Sequence, residues 1–304
     1  MSEYKIHQYD SKIAEELAQV SAKVAENWAW PYFHRLASLE NMSSKPDFDS
    51  SLLLYCTKDD EVVGYILAEI GSKFLGSELS VEKNQFARII YPCTLPGHES
   101  AADLLLDTII ANLKTKGITL VRTRTSTMIS NSFDYLKQKG YVESTAFPLG
   151  FKLYYQYKAS KGKIDRLIPD TQLFNEERDL EECTKWVSRF FYIPEENAKS
   201  HILRTNSRDD LVSHLVIRVN DELVGYCFAH PNGHVKKIHA TYYIEAINED
   251  YFAQLLVKSV NNSIDAKGDT FIVDLIGSVH KYEKATKSLG FEKVATWCVF
   301  ERNI

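Results

Sequence analysis

The sequence predicts an α/β (α+β) chain made of two similar halves, each a mixed sheet flanked by helices. Two observations carry this. Apolar residues switch from alternation and short runs to helical spacing and back, and the same order of segments is met twice. Specific stretches also repeat. DDEVVGYILA at 59–68 matches NDELVGYCFA at 220–229, and YLKQKGYVE at 135–143 matches ATKSLGFEK at 285–293. The longest helix matches too: Leu104–Leu105 stands as far before Gly117 as Leu255–Leu256 before Gly268. Such self-similarity points to an internal duplication, and each half is long enough for its own core. The expected domains are 1–158 and 171–304, joined by a polar, basic linker at 159–170.

In the first half, Asp10 or Ser11 caps a helix with Ile13, Leu17, Val20, Val24 and Trp28 on its apolar face. WAWPYF (28–33) follows, bent by Pro31, and then a polar loop over 41–51. LLLYC (52–56) and VVGYILAEI (62–70) form a hairpin around DDE (59–61). An irregular connection over 71–83 leads to Phe86–Tyr91, a short apolar strand ended by Pro92 and Pro96–Gly97. Ala101, Leu104, Leu105, Thr108, Ile109, Asn112 and Leu113 then fall at helical spacing. Lys114 and Lys116 suit the last turn, and Gly117 supplies the residue after it. ITLVRTRTS (118–126) is a strand. A short helix with Phe133, Leu136 and Lys137 ends at Gly140, and 141–158 are two closing strands around Pro148–Gly150.

The second half repeats this order. A helix from near Asn175 carries Leu180, Cys183, Val187 and Phe190, followed by RFFYIP at 189–194. LVSHLVIRV (211–219) and LVGYCFAH (223–230) form a hairpin around NDE, and a strand spans 235–244. A helix with Phe252, Leu255, Leu256, Ser259, Val260 and Ile264 stops at Gly268. FIVDLIG (271–277), a short helix ending at Gly290 and VATWCVF (294–300) close the chain.

Composition narrows the function classes. Hydrophobic residues at 44% and charged residues at 25% of 304 are those of a soluble globular protein. A net charge of −5 counts against a nucleic-acid partner. No apolar run approaches the ~20 residues that cross a bilayer. MSEYKIHQYDSK lacks a signal peptide's apolar centre. The five cysteines are scattered and odd in number, so they read as reduced thiols in a cytoplasmic protein.

The best functional clue lies between Phe86 and Gly117. A strand, a Gly-containing turn and a helix N-terminus leave backbone N–H groups pointing outward, where an anion can sit. With its hairpin of the form (D/N)-(D/E)-E-x-V-G-Y, GYILA, the Gly97 turn and KQKGYVE, all in this order and met twice, the chain resembles the GNAT superfamily of acyl-CoA-dependent N-acyltransferases. The resemblance covers nearly the whole chain. It implies two tandem GNAT-like domains and transfer of an acetyl group from acetyl-CoA to an amine of a small molecule or peptide. It also implies that the backbone of Ile89, Ile90 and Tyr91 pairs with the pantetheine arm. The turn Gly97, His98, Glu99, Ser100 and Ala101 would wrap the pyrophosphate. Gly97 and Ala101 fit the family's (Arg/Gln)-x-x-Gly-x-(Gly/Ala) turn. Pro96 stands where Arg/Gln is usual, and Glu99 where the first Gly is. A carboxylate there repels a pyrophosphate, which His98 offsets as a donor and potential cation. In the second half Asn248, Asp250 and Phe252 stand at the places of Gly97, Glu99 and Ala101, so that half is expected to bind CoA poorly or not at all.

In the family the proton donor to the leaving thiolate is usually a Tyr four residues before the short helix's terminal Gly. That position is Leu136 here, with Tyr135 beside it. Tyr135 is therefore the candidate acid, with core packing the competing reading. Glu69 is the candidate base, against a solvated strand-end carboxylate. WAWPYF and Tyr91 are either an acceptor wall or core. His230, His234 and His239 surround a turn without further ligands at metal spacing, so no metal is expected. Cys93 lacks a partner set for nucleophilic chemistry. RTR at 122–124 is a strand end, with a phosphate contact the minor reading. A different function class stays open: both copies without chemistry, serving ligand sensing or partner binding. Aminoacyl transfer from charged tRNA fits the acidic balance poorly. The assembly is a monomer or homodimer.

Overall fold

The computed structural model describes residues 3–24, 26, 48–71, 86–129, 131–144, 151–191, 193–232 and 235–304. The WAWPYF wall, most of the 71–83 connection and the Pro148–Gly150 turn lie outside the described residues. The chain forms two compact units, Met1–Gly150 with Trp297–Ile304, and Phe151–Thr296.

The first unit holds β1 (Lys5–Gln8), α1 (Ala14–Val24), β2 (Leu53–Lys58), β3 (Glu61–Ile70), β4 (Phe86–Ile90), β5 (Cys93–Thr94), α2 (Ala101–Thr115), β6 (Leu120–Ser126), α3 (Ser132–Gln138) and β7 (Val142–Glu143). The second holds β8 (Phe151–Lys158), β9 (Thr171–Leu173), α4 (Glu176–Phe191), α5 (Glu195–Asn206), β10 (Ser213–Val219), β11 (Glu222–Asn232), β12 (Val235–Ala246), α6 (Glu249–Asp265), β13 (Thr270–Ile276) and α7 (Glu283–Ser288). The last strand, β14 (Glu292–Asn303), begins in the second unit and ends in the first.

The order across the first unit is β1-β2-β3-β4-β6-β14, antiparallel except for β4 beside β6. The second unit repeats the plan as β9-β10-β11-β12-β13-β8, with β12 and β13 parallel. Alternating residues of β2 face opposite ways. Leu54 joins a core where Leu105, Ile109 and Leu113 of α2 meet Ile66, Ile89 and Val121. Leu53 joins one where Leu17 and Val20 of α1 meet Tyr65 and Leu67. Each such side chain contributes about 1.5–3 kcal/mol when fully buried. In the second unit α6 covers one face through Phe252, Leu256 and Val260. Helices α4 and α5 cover the other through Val187 and Ile202.

The repeated hairpin motif has two physical causes. Asp59 and Asp60 (φ 53° and 65°) and Asn220 and Asp221 (φ 50° and 66°) are all left-handed. Two-residue hairpin turns demand that conformation, and Asp and Asn tolerate it. The glycine of V-G-Y serves close packing: a Cβ on Gly64 would lie 2.8 Å from the Cys93 carbonyl oxygen of β5.

Three expectations are corrected. The domain boundaries at 158 and 171 do not hold: Phe151–Lys158 pairs with β13 of the second unit, and Trp297–Asn303 pairs with β6 of the first. A strand's period records that it is half-buried, not which sheet it joins. The stripe of α2 is rotated: Leu104 is 44% exposed, while Ala102, Leu106 and Ile110 are buried. The Leu104–Leu106 run made both phases readable. Strands β1 and β9 and helix α5 add to the elements expected from the sequence. Helix α5 follows Pro194, with Glu195 and Glu196 in its first turn, a start signal overshadowed by the aromatic RFFYIP.

Candidate cofactor site

The site begins where two parallel strands part. β4 and β6 stay in register from Phe86↔Leu120 to Ile90↔Arg124 and no further. Beyond that point Cys93 and Thr94 keep their pairing with Tyr65 and Gly64 of β3. Thr125 and Ser126 pair instead with Cys298 and Trp297 on the far side. Ile89 is therefore inside the paired region, Ile90 is its last member, and Tyr91 is the first residue past it.

The turn into α2 closes on itself. Leu95 N–H donates to Val63 O at 2.8 Å, His98 N–H to Leu95 O at 3.0 Å, and Ala101 N–H to His98 O at 2.9 Å. Gly97 takes φ +86°, with open space where a Cβ would stand. Its N–H donates to Glu99 Oε1 at 3.0 Å. That bond holds the exposed Glu99 carboxyl below the usual carboxylate range. An internal anion thus sits where the turn was expected to receive a phosphate. Ser100 occupies the cap position of α2 but makes no side-chain cap bond. His98 is anchored from outside the turn, with its Nδ1 3.2 Å from Tyr4 Oη. Nothing in the sequence separation signals that contact.

Tyr135 lies on α3 with its ring edge-on to Tyr91, centroids 5.6 Å apart. Its hydroxyl is buried without a hydrogen-bond partner. Burial, then the neighbouring Asp103 carboxylate, push its pKa well up, so it holds its proton at neutral pH. Burial likewise raises Tyr91 to about 12. Lys139 stacks over the Tyr135 ring at 5.7 Å and pairs with Asp103 at 2.9 Å. Leu136 is fully buried in the core, whereas its neighbour Tyr135 is half-buried.

Other candidates are elsewhere. Glu69 pairs across strands with Arg88 at 3.0 Å, on the paired side of the parting. Arg122 is buried against Glu301 at 3.0 Å and Arg124 lies over Trp297 at 5.7 Å, so both serve packing. Cys93 is buried and its thiol is pushed up to about 12. His239 bonds Ser263 Oγ at 2.8 Å, and His230 stacks on Tyr242 at 3.8 Å. Among the described residues no group of three or more His, Cys, Asp or Glu is arranged to hold a metal ion. Nor is any described helix long and apolar enough to cross a membrane.

The second unit carries the same parting, with its register ending at Ala240↔Ile272, but fills it. Thr241 Oγ1 accepts the Asp274 N–H at 3.3 Å. Tyr282 Oη donates to Ala246 O at 2.7 Å, and Phe252 stacks on Tyr282 at 4.5 Å. Asn248 caps α6 through the Tyr251 N–H at 2.9 Å. Arg166 pairs with Asp250 at 2.6 Å across the first turn of that helix.

No protein-family model matches this sequence, and no curated protein matches it. Solved structures do. The chain is similar over 99% of its length, at 9% identity and TM-score 0.65, to a GCN5-related N-acetyltransferase from Sphaerobacter thermophilus, 95% of which it covers. It is similar, at 11% identity and TM-score 0.65, to a tandem GNAT protein from the clavulanic acid biosynthesis pathway, covering 99% of this chain and 98% of that one. A GNAT-family acetyltransferase from Colwellia psychrerythraea matches 98% of this chain and 99% of its own at 14% identity and TM-score 0.62. At these identities the likeness establishes the fold: GNAT-type domains in tandem.

Proposed function

We propose that the first unit binds acetyl-CoA and transfers its acetyl group directly to an amine of a small molecule or peptide, while the second unit is a degenerate copy without a cofactor. The observation that carries this is the parting of β4 from β6 after Ile90↔Arg124, beside the N-terminus of α2. The neighbours are named as acetyltransferases, which agrees with the reading. The residues fit the group once the exposed Glu99 carboxylate turns off the Gly97 N–H. In the second unit Tyr282, Phe252 and Asn248 occupy the equivalent places, and the group does not fit.

Bound acetyl-CoA would supply the thioester that the amine attacks. The main chain at Ile89, Ile90 and Tyr91 would orient the arm, and the N–H groups of Gly97, Glu99 and Ser100, which carry no backbone acceptor in the turn, would meet the diphosphate, with His98 and Ala101 closing the turn around them. Tyr135 Oη holds the proton that the leaving thiolate takes up. Glu69 is held by Arg88, so the amine's proton is assigned to solvent rather than to that carboxylate. A second reading, ligand sensing without transfer, is favoured by the Glu99–Gly97 contact.

Calorimetric titration of acetyl-CoA tests the site. Wild type should bind and Gly97→Glu should not. Glu99→Gln should bind several-fold tighter, because a repelling charge is gone. If neither wild type nor Glu99→Gln binds, the cofactor reading is wrong. Release of free thiol across a panel of amines then separates an enzyme from a sensor.

A further inference from the structure

Among the described residues, five side-chain hydroxyls of the first unit, those of Tyr9, Thr123, Thr125, Tyr135 and Tyr141, are buried without a hydrogen-bond partner. Orphaned buried hydroxyls are rare and ask for an explanation. Thr125 is the one carried by a parting strand itself, just beyond its last paired residue. It follows Arg124, the last β6 residue in register with β4, and its backbone partner is Cys298 on the opposite side. Its exposure is 0%. Strand alternation puts its side chain on the face of Val121, which packs under α2. Tyr91, the β4-side residue at the same level, packs on that same core and meets Tyr135 edge-on.

The second unit carries a threonine hydroxyl on the other strand of its parting, at the place that Tyr91 takes in the first. Thr241, the first β12 residue past Ala240↔Ile272, accepts the Asp274 N–H and ties the two strands together. In the first unit no such tie engages Thr125.

We infer that Thr125 is a ligand-facing residue, whose Oγ1 hydrogen-bonds an amide of the acyl-CoA arm as it enters between β4 and β6. This rests on the acyl-CoA reading above. A hydroxyl both donates and accepts, so it can serve either the N–H or the C=O of such an amide. The strand register stops before the half-buried Tyr91, so no β4–β6 pairing has to break at the level of Thr125. Thr123 provides the internal control. It is equally buried and unpartnered but stands opposite Ile89, where the strands are still paired.

The test compares Thr125→Val, Thr125→Ser and Thr123→Val by calorimetry. The titrants are acetyl-CoA and 3′-phosphoadenosine 5′-diphosphate, the nucleotide end without the arm. Thr125→Val should weaken acetyl-CoA about three- to tenfold, as for one hydrogen bond. It should leave the nucleotide unchanged. Thr125→Ser and Thr123→Val should bind acetyl-CoA as wild type does, and the free Thr125→Val protein should melt no lower than wild type. The inference is overturned if wild type binds and Thr125→Val binds equally, or if Thr123→Val loses as much. It is also overturned if free Thr125→Val melts lower, which would mean the hydroxyl serves the apo fold. Absence of wild-type acetyl-CoA binding would instead bring down the cofactor reading itself.

Discussion

Tyr135 is a half-buried phenol at the parting of two strands, with burial and then Asp103 raising its pKa and Lys139 over its ring. Tyr135→Phe removes one oxygen and no packing. On the proposed mechanism it should lower kcat by about a hundredfold or more while the acetyl-CoA affinity stays the same; steady-state kinetics beside calorimetry read both. His214 makes a different kind of residue-scale prediction. It is buried between Asn206 Oδ1 at 3.0 Å and Tyr226 Oη at 2.8 Å and stacked on Phe174, and burial drops its pKa to about 4. The native state keeps this imidazole neutral, whereas the unfolded chain protonates it near 6.5. Its contribution is therefore fully present above about pH 6.5 and is lost as pH falls toward 4. Urea unfolding at pH 7.5 and pH 5 should differ by about 2 kcal/mol from this residue. That part of the difference should vanish in His214→Phe.

At the scale of elements, the two copies of the V-G-Y hairpin have unequal tolerance. In the first, a Cβ on Gly64 meets backbone, the Cys93 carbonyl at 2.8 Å. In the second, a Cβ on Gly225 meets Leu255 Cδ1 at 3.1 Å, the end of a flexible side chain. Gly64→Ala should cost about 1–3 kcal/mol, and Gly225→Ala distinctly less, in denaturant midpoints. Gly64→Ala should also weaken acetyl-CoA, because it pushes away the strand segment that borders the site. The sequence announced these elements well: hairpins, long helices and Gly stops all carry local signals. Gly117, at φ +76°, ends α2 as read. Gly268 follows a different rule. Lys267 carries the left-handed turn at φ 60°, and Gly268 lets His239 come close. What local signals could not carry is partner choice. Glu99 was read as a charge facing a phosphate, yet it first satisfies the Gly97 amide of its own turn. Tyr4 anchors His98 across most of the first unit's sequence, and the orphaned state of Thr125 exists only once its neighbours are in place.

At the scale of the whole molecule, duplication was legible and its bookkeeping was not. Two copies of one element order gave the count of units, but the closing strands went to the unit other than the one expected from chain order. Removing 297–304 takes from β6 its antiparallel partner over Leu120–Asn303 to Ser126–Trp297. It also removes Phe300 from the first unit's core and Glu301 from buried Arg122. The truncated chain should lose the first unit's unfolding transition, or show it at much lower temperature, in calorimetric scans, because an uncovered inner strand and the loss of a carboxylate from a buried cation are both costly.

The ribosome delivers residues in one direction, and this arrangement sets a delay. When Gly150 emerges, β6 still has a bare edge, which the chain can cover only after residues 151–296 have been synthesised, roughly 7–29 s later at ordinary elongation rates. The half made first is thus the half finished last, and a nascent chain stalled inside the second unit would expose Leu120–Ser126 as a ready template for aggregation.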